Sequence, residues 1–437
     1  MASRGKFALL LALLLAGSMW FYVQRVLIGR QQADAARLGI PRGNLSDLYP
    51  RWLGARELLR DHRDPYSAAV TREIQSGYYG RPLDPARPND PKDEQRFAYP
   101  VYVVFLLAPT VGLSFPVVQI GFWWLLALLT AASVPVWLRI LQWRASLNTM
   151  MTLVVLTLGS FPVLQGLKLQ QLSLLVAGLI AGGVLLLVNG YGFAAGILLA
   201  LATIKPQLAL PVCGWLLIWA LGDWHRRQSF VWGFAGTMAA LLAASEYVLP
   251  GWVGRFREAI SAYREYNGGA GSVVDVLLTP GWGKALGALI VLALAVVCWR
   301  HRRVSNESIS FAQLTVLVLT ATVVVVPKAA PYNQVMLLAG VLLVAQRWQL
   351  LSAGNRALHL CAWVCALAVG WPWVAALGLA LASFVLPAES VQKASALPLY
   401  SSLVIPVAVL LPLVYGFRML AKPVSLLDVG KPNLAFR

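Results

Sequence analysis

"FALLLALLLAGSMWFYVQRVLI" (Phe7–Ile28) carries a single charge, Arg25, in 22 residues. About 20 apolar residues in a helix cross a hydrocarbon layer of roughly 30 Å. A short basic stretch, "SRGK", precedes the run. Small residues in "LLLAGSM" would suit a signal-peptide cleavage site. The run continues through Trp20, Phe21, Tyr22 and Val26, longer than a typical signal core, and so predicts an uncleaved signal anchor.

Working outward, similar runs recur at 99–113, 115–139, 147–166, 170–188, 190–221, 230–249, 281–299, 311–327, 332–347, 356–386 and 399–416. Two of these, 190–221 and 356–386, are long enough to be kinked helices or short hairpins, and "IKPQ" (Ile204–Gln207) and "GWPW" (Gly370–Trp373) mark where a break would be expected, because proline removes a backbone donor. The chain of 437 residues is 59% hydrophobic and 12% charged, whereas soluble domains are nearer a quarter charged. The runs are continuous rather than alternating, which excludes a β-barrel. The expected fold is an all-α polytopic membrane protein of about twelve crossings, one domain over 1–437.

The net charge of +18 does not point to nucleic acid. Basic residues cluster beside apolar runs, as in "WHRRQ" (Trp224–Gln228) and "WRHRR" (Trp299–Arg303), the pattern of positive-inside anchors attracted to anionic lipid. Cys213, Cys298, Cys361 and Cys365 all lie in apolar runs and read as small core residues. "DHRD" (Asp61–Asp64) has one histidine and no convincing metal spacing, so no metal ligand and no cofactor is assigned. No strand–helix alternation exists to build a nucleotide-sugar domain.

Between the first two runs lies a polar stretch, 29–98, with twelve basic and ten acidic residues, a balance of +2 against +16 for the rest. With the N-terminus inside, this loop falls outside. A second outer loop is expected at 250–280. Simple counting puts Arg144 in "LQWRAS" (Leu141–Ser146) outside as well; a re-entrant 99–113 would move it inside. The first loop contains "SDLYPRWLGARELLRDHRDPYS" (Ser46–Ser67). Its mix of Trp52, Leu53, Leu58 and Leu59 with Arg51, Arg56 and Arg60 suits an amphipathic helix lying on the membrane surface. Asp47 in "SD" reads as a helix cap on local grounds.

Asp47 followed by Trp52 and Ala55, "DPYS" (Asp64–Ser67), "FAYP" (Phe97–Pro100) and Lys205-Pro206 together resemble glycosyltransferase family 87. This family has the GT-C fold and uses polyprenol-phosphate-mannose. The chain has "YPV" (Tyr99–Val101) where the family often has two prolines. The resemblance implies transfer of a hexose, mannose, from a polyprenyl-phosphate donor to a glycolipid or glycan acceptor. It implies inversion, with Asp47 as general base, at the outer face of a bacterial cytoplasmic membrane. Divalent-metal dependence stays open.

A departing lipid phosphate needs cations. Lys205, Arg51 and Lys328 are the candidates. Lysine inside an apolar run is costly, though Lys205 has the alternative of snorkelling or bonding carbonyls freed at Pro206, and Lys328 that of a plain interface lysine. Gln170 and Gln171 are candidates for sugar hydroxyls, with interhelical bonding the alternative. Tyr49, Tyr99, Tyr332, Asn333 and Tyr266 complete the proposed sugar and acceptor set. The glycine-rich "YNGGAGS" (Tyr266–Ser272) would let the second loop fold over a lipid carrier or simply stay solvated. A transporter or lipid flippase is the competing reading and a scaffold the third, but no repeated halves and few membrane carboxylates support transport.

Overall fold

A computed structural model describes residues 2–266, 271–327 and 329–420, and every regular element among them is helical. The first run forms α1 (Gly5–Leu38) with a π-helical stretch at Tyr22–Leu27. Met19, Tyr22, Val23 and Val26 of α1 pack on Phe161, Leu164, Ala376 and Leu379. The helix is therefore part of the packed bundle.

The polar stretch folds into α2 (Tyr49–Arg60) and α3 (Ala68–Tyr79). Pro50 opens α2, where its missing N–H costs nothing. Ser67 caps α3 by accepting from the Val70 N–H. The expectation that α2 lies on the lipid surface is corrected. Trp52, Leu53, Ala55 and Leu58 are buried in one protein core with Phe97 and Val101–Val104. The apolar face finds a protein floor instead of lipid. Gly54 makes this approach close: a Cβ there would sit 2.3 Å from the Phe97 ring.

That floor is the 99–113 stretch, and it does not cross as a helix. It forms only Val103–Leu107 and a 3-10 turn at Ala108–Thr110. Pro100, Pro109 and Gly112 punctuate it. The chain continues through α4 (Phe115–Ile140), α5 (Leu147–Leu158) and α6 (Phe161–Lys168), the last two meeting at a 56° bend. α7 (Leu172–Val188), α8 (Gly192–Ala202), α9 (Pro206–Leu221), α10 (Trp224–Val248) and α11 (Trp252–Tyr266) follow. The break expected at "IKPQ" is present between α8 and α9. Then come α12 (Pro280–Arg300), α13 (Ile309–Val325), a 3-10 segment at Pro331–Leu337, α14 (Leu338–Gln346), α15 (Arg356–Ala382) and α16 (Ile405–Tyr415). The break expected at "GWPW" is absent: Pro372 lies inside the continuous α15. One lost donor is tolerated where the flanking turns keep their own bonds.

Six described helices are long and apolar enough to cross a membrane, or seven if the bent pair α5–α6 is one span. The apolar helices α7, α8, α9, α13 and the segment Pro331–Gln346 are shorter, so helix length alone does not reproduce twelve crossings. Apolar side chains point outward along α4 (Ile120, Trp124, Leu128), α12 (Leu289, Leu292) and α15 (Leu360, Leu367). Helices apolar on their outer faces belong in lipid. The protein is an integral membrane protein.

The bundle has two distinguishable ends. α7 starts beside Gln171, α9 starts at Lys205, and α13 leads into Asn333. The start of α4 meets the same end, where Phe115 packs edge-on to Tyr49 at 4.7 Å. The other ends of these helices also meet. Asn306 donates to the Leu187 carbonyl at 2.7 Å, Trp219 to that of Val304 at 2.9 Å, and Gln142 to that of Glu307 at 2.8 Å. Arg144 follows Gln142 by two residues, so it lies at this second end, as a non-crossing 99–113 requires.

Candidate active site

Asp47 precedes α2 and is held in place before its side chain is considered. Its backbone N–H donates to the Leu169 carbonyl at 2.9 Å, fastening the outer loop to the turn between α6 and α7. Its carboxylate caps nothing: Leu48 is the residue at the start of α2, and no side chain caps it. Instead Tyr78 of α3 donates to Asp47 Oδ1 at 3.2 Å, and Gln171 Nε2 donates to Oδ2. Asp47 is half-buried, with both oxygens held by neutral donors. Burial first, then the Asp47 charge, raises the Tyr78 pKa well above the ordinary phenol value. Tyr78 stays a protonated donor.

Gln171 is a two-sided link. Its Oε1 accepts from Lys205 Nζ at 2.7 Å while its Nε2 serves Asp47. Lys205 also donates to Ser173 Oγ at 2.6 Å, and Ser173 donates to Asn333 Oδ1 at 2.8 Å. The ammonium lies 5.1 Å from the centre of the Tyr332 ring, within cation–π range. The chain break at Thr203–Lys205 is what turns this lysine inward. Lys205 stands just before α9, and its ammonium donates to the side chains of Gln171 and Ser173 at the start of α7.

Arg51 supplies a second cation. Its Nη1 donates to the Asp47 backbone carbonyl at 2.7 Å, and its guanidinium stacks over Tyr99 at 4.4 Å. Burial alone would lower its pKa; Tyr99 and Asp47 beside it more than offset this and hold it above the ordinary value. The two quoted motifs also touch. The Tyr66 hydroxyl of "DPYS" donates to the Tyr99 carbonyl of "FAYP" at 2.6 Å, and Tyr66 packs edge-on to Phe97 at 5.2 Å. Arg255 of α11 reaches Asp64 at 3.3 Å, tying the second outer loop to the first.

The structure thus brings together Asp47, Arg51, Tyr99, Gln171, Lys205, Tyr332 and Asn333. Gln170 is turned away: its amide donates to the carbonyls of Leu167 and Lys168 and accepts from Gln119. Tyr49 packs in an aromatic group with Trp52 and Phe115 and belongs to the wall. Lys328 and the Tyr266 side chain lie outside the described residues. Tyr78 and Ser173 were not legible in the sequence. A tyrosine in a charged loop and a serine opening an apolar run carry no local signal, and only tertiary contact selects them. Among the described residues, no three His, Cys, Asp or Glu side chains gather as a metal-holding group.

Near Asn333, an apolar cavity of about 200 Å³ lies between α5, α6 and α15, lined by Phe161, Gln334, Trp373 and Ile405 among others. Gln334, which lines this cavity, follows Asn333 of the polar cluster in the chain. The family model of glycosyltransferase family 87 matches residues 97–327, more than half of the chain. The chain belongs to glycosyltransferase family 87. It is a membrane glycosyltransferase, and the transporter reading gives way. The matched region includes Tyr99, Gln171, Ser173 and Lys205, while Asp47, Arg51 and Tyr78 precede it. No match is found among curated proteins or among solved structures.

Proposed function

We propose that this family 87 enzyme moves a hexose, mannose, from a polyprenyl-phosphate donor to a hydroxyl of a glycolipid or glycan, with inversion. The acceptor hydroxyl gives its proton to the Asp47 carboxylate as its oxygen bonds the anomeric carbon. The bond from that carbon to the phosphate oxygen breaks on the opposite face, and polyprenyl phosphate leaves with the electron pair. A β-linked donor gives an α-linked product. The general base contributes about 10²–10⁴-fold. Lys205 and Arg51, and Lys328 on the same reading, stabilise the negative charge of the leaving phosphate. Tyr332, Asn333, Tyr99 and Gln171 contact sugar or acceptor hydroxyls, and Tyr266 belongs to the same proposed set. The apolar cavity beside Gln334 takes part of the isoprenoid chain. The active site faces outward from a bacterial cytoplasmic membrane.

One observation carries this reading: a half-buried carboxylate whose two oxygens are held by Tyr78 and Gln171, one residue removed from an inward-turned ammonium. That arrangement fixes the position of the carboxylate and puts cationic charge on the other side of the same link. The test is transfer by purified, lipid-reconstituted protein. Radiolabelled polyprenyl-phosphate-mannose is the donor and a cell-envelope glycolipid extract the acceptor. Wild type is expected to transfer, and Asp47→Asn to lose at least 100-fold while keeping its thermal midpoint. Transfer that survives in Asp47→Asn would return Asp47 to a structural part.

A further inference from the structure

The end of the bundle opposite Asp47 holds a polar cavity. It measures about 260 Å³ and is lined by Arg226, Arg227, Arg303, Asp223, Ser229 and Ser305, with Asn306 and a glycine-bearing turn at Gly190 and Gly192. Along α7, 17 residues separate this turn from the active-site end, about 25 Å at the helical rise. That span approaches the roughly 30 Å hydrocarbon layer. The Asp47 cluster and this cavity thus mark opposite ends of the bundle.

The lining is charged for an anion. Three arginines face one carboxylate, a balance of +2. Arg227 is fixed as wall. Its guanidinium donates to the carbonyls of Trp219, Arg302 and Val304 at 2.6, 2.8 and 2.9 Å and stacks on Trp219 at 4.1 Å. These carbonyls satisfy its donors without neutralising its charge. Arg226 is exposed and touches Asp223 only at 3.9 Å, a distance of little energetic weight. Arg303 is exposed as well. Two exposed guanidiniums, a fixed one and two hydroxyls match the oxygens of a phosphate. Neither α8 nor α10, whose starts line the cavity, has a side-chain cap, so the dipole ends add to the positive potential. A merely solvated rim of charge needs no concavity; here four chain segments build one.

The rim identifies the source. Tyr191, Phe193, Trp224, Trp232 and Trp299 are exposed around this end, the aromatic belt that marks a membrane–water interface. A basic pocket between helices at such a level is where anionic headgroups dock. We propose that this cavity is a phosphate-binding site, filled by the headgroup of one anionic phospholipid at the face opposite Asp47. Its volume falls just below the roughly 300 Å³ at which small-molecule pockets begin, so it suits a headgroup rather than a whole lipid. The inference does not depend on the proposed transfer reaction.

The test uses full-length protein in detergent and native mass spectrometry with dioctanoyl-phosphatidylglycerol, dioctanoyl-phosphatidylcholine and inorganic phosphate as separate probes. One phosphatidylglycerol is expected to bind, with phosphatidylcholine at least tenfold weaker because its quaternary ammonium faces the arginines. The double variant Arg226→Gln/Arg303→Gln is expected to lose at least tenfold for phosphatidylglycerol. Ser305→Glu, which adds a carboxylate at an exposed lining position, is a second variant with the same expected loss. Arg257→Gln, on α11, is expected to change nothing. Equal binding of the two lipids, or unchanged phosphatidylglycerol binding in folded forms of both lining variants, overturns the site. Displacement of phosphatidylglycerol by equimolar phosphate overturns the lipid source and leaves a free-anion site.

Discussion

At the scale of single residues, the site depends on Gln171. Its amide faces a carboxylate with its donor and an ammonium with its acceptor. Leucine at this position would leave both charges without their shared partner. Misplacement of reacting groups by about 1 Å can cost 10²-fold. Gln171→Leu is therefore expected to lower kcat about 10–100-fold with a smaller change in donor KM. Tyr78→Phe removes one hydrogen bond worth about 1 kcal/mol, and so about five- to tenfold in rate if that bond orients the base. Steady-state kinetics of the reconstituted variants measures both. Full activity in both would detach this network from transfer. Lys205 was readable from sequence because charge inside an apolar run is unusual, whereas Asp47 reads locally as a helix cap and stands out only through the family resemblance. Tyr78, Ser173 and the direction of Gln170 were not readable, since neighbouring glutamines differ only in which way the turn points them. Gln170 sits at φ 47°, and that backbone conformation sends it away from Asp47.

At the scale of elements, the outer loop is a folded wall. α2 is amphipathic, as its sequence requires, and its apolar face packs on Phe97 and the short helical turns of the 99–113 stretch. Amphipathicity tells that a face will be covered; it does not name the cover. Gly54 is the contact point. A Cβ at 2.3 Å from the Phe97 ring forces a shift of ring or helix, and overpacking of this kind costs about 1–3 kcal/mol. Gly54→Ala is expected to lower the thermal midpoint in detergent and to reduce transfer, because α2 carries Arg51 and follows Asp47. An unchanged midpoint would show that Phe97 yields freely. The two proline motifs make the same point. Both Pro206 and Pro372 remove a donor, but only the first breaks its helix, where Lys205 turns inward to α7.

At the scale of the whole molecule, the helices α7, α9 and α13 each join the Asp47 cluster to the basic end. One outcome follows for the membrane. Cysteines placed at the two ends should be labelled from opposite sides. In a background lacking the four native cysteines, Ala86→Cys in the outer loop and Ser305→Cys at the basic end are both exposed positions. A membrane-impermeant maleimide on sealed vesicles is expected to react with one and not the other, with the pattern reversed in inverted vesicles. Labelling of both from one side would overturn the two-ended arrangement.

The sequence by itself determined the membrane class, the helical content, the polar first loop and the candidate residue Lys205, while Asp47 came from the family resemblance. It could do so because apolar run length and misplaced charge are local quantities. Only the tertiary structure decided that 99–113 stops short of crossing, that α2 is buried, and that Tyr78, Gln171 and Ser173 join Asp47 to Lys205 and Asn333. Those facts depend on which surfaces meet, a property of residue pairs far apart in the chain, from 31 positions for Asp47 and Tyr78 to 160 for Ser173 and Asn333.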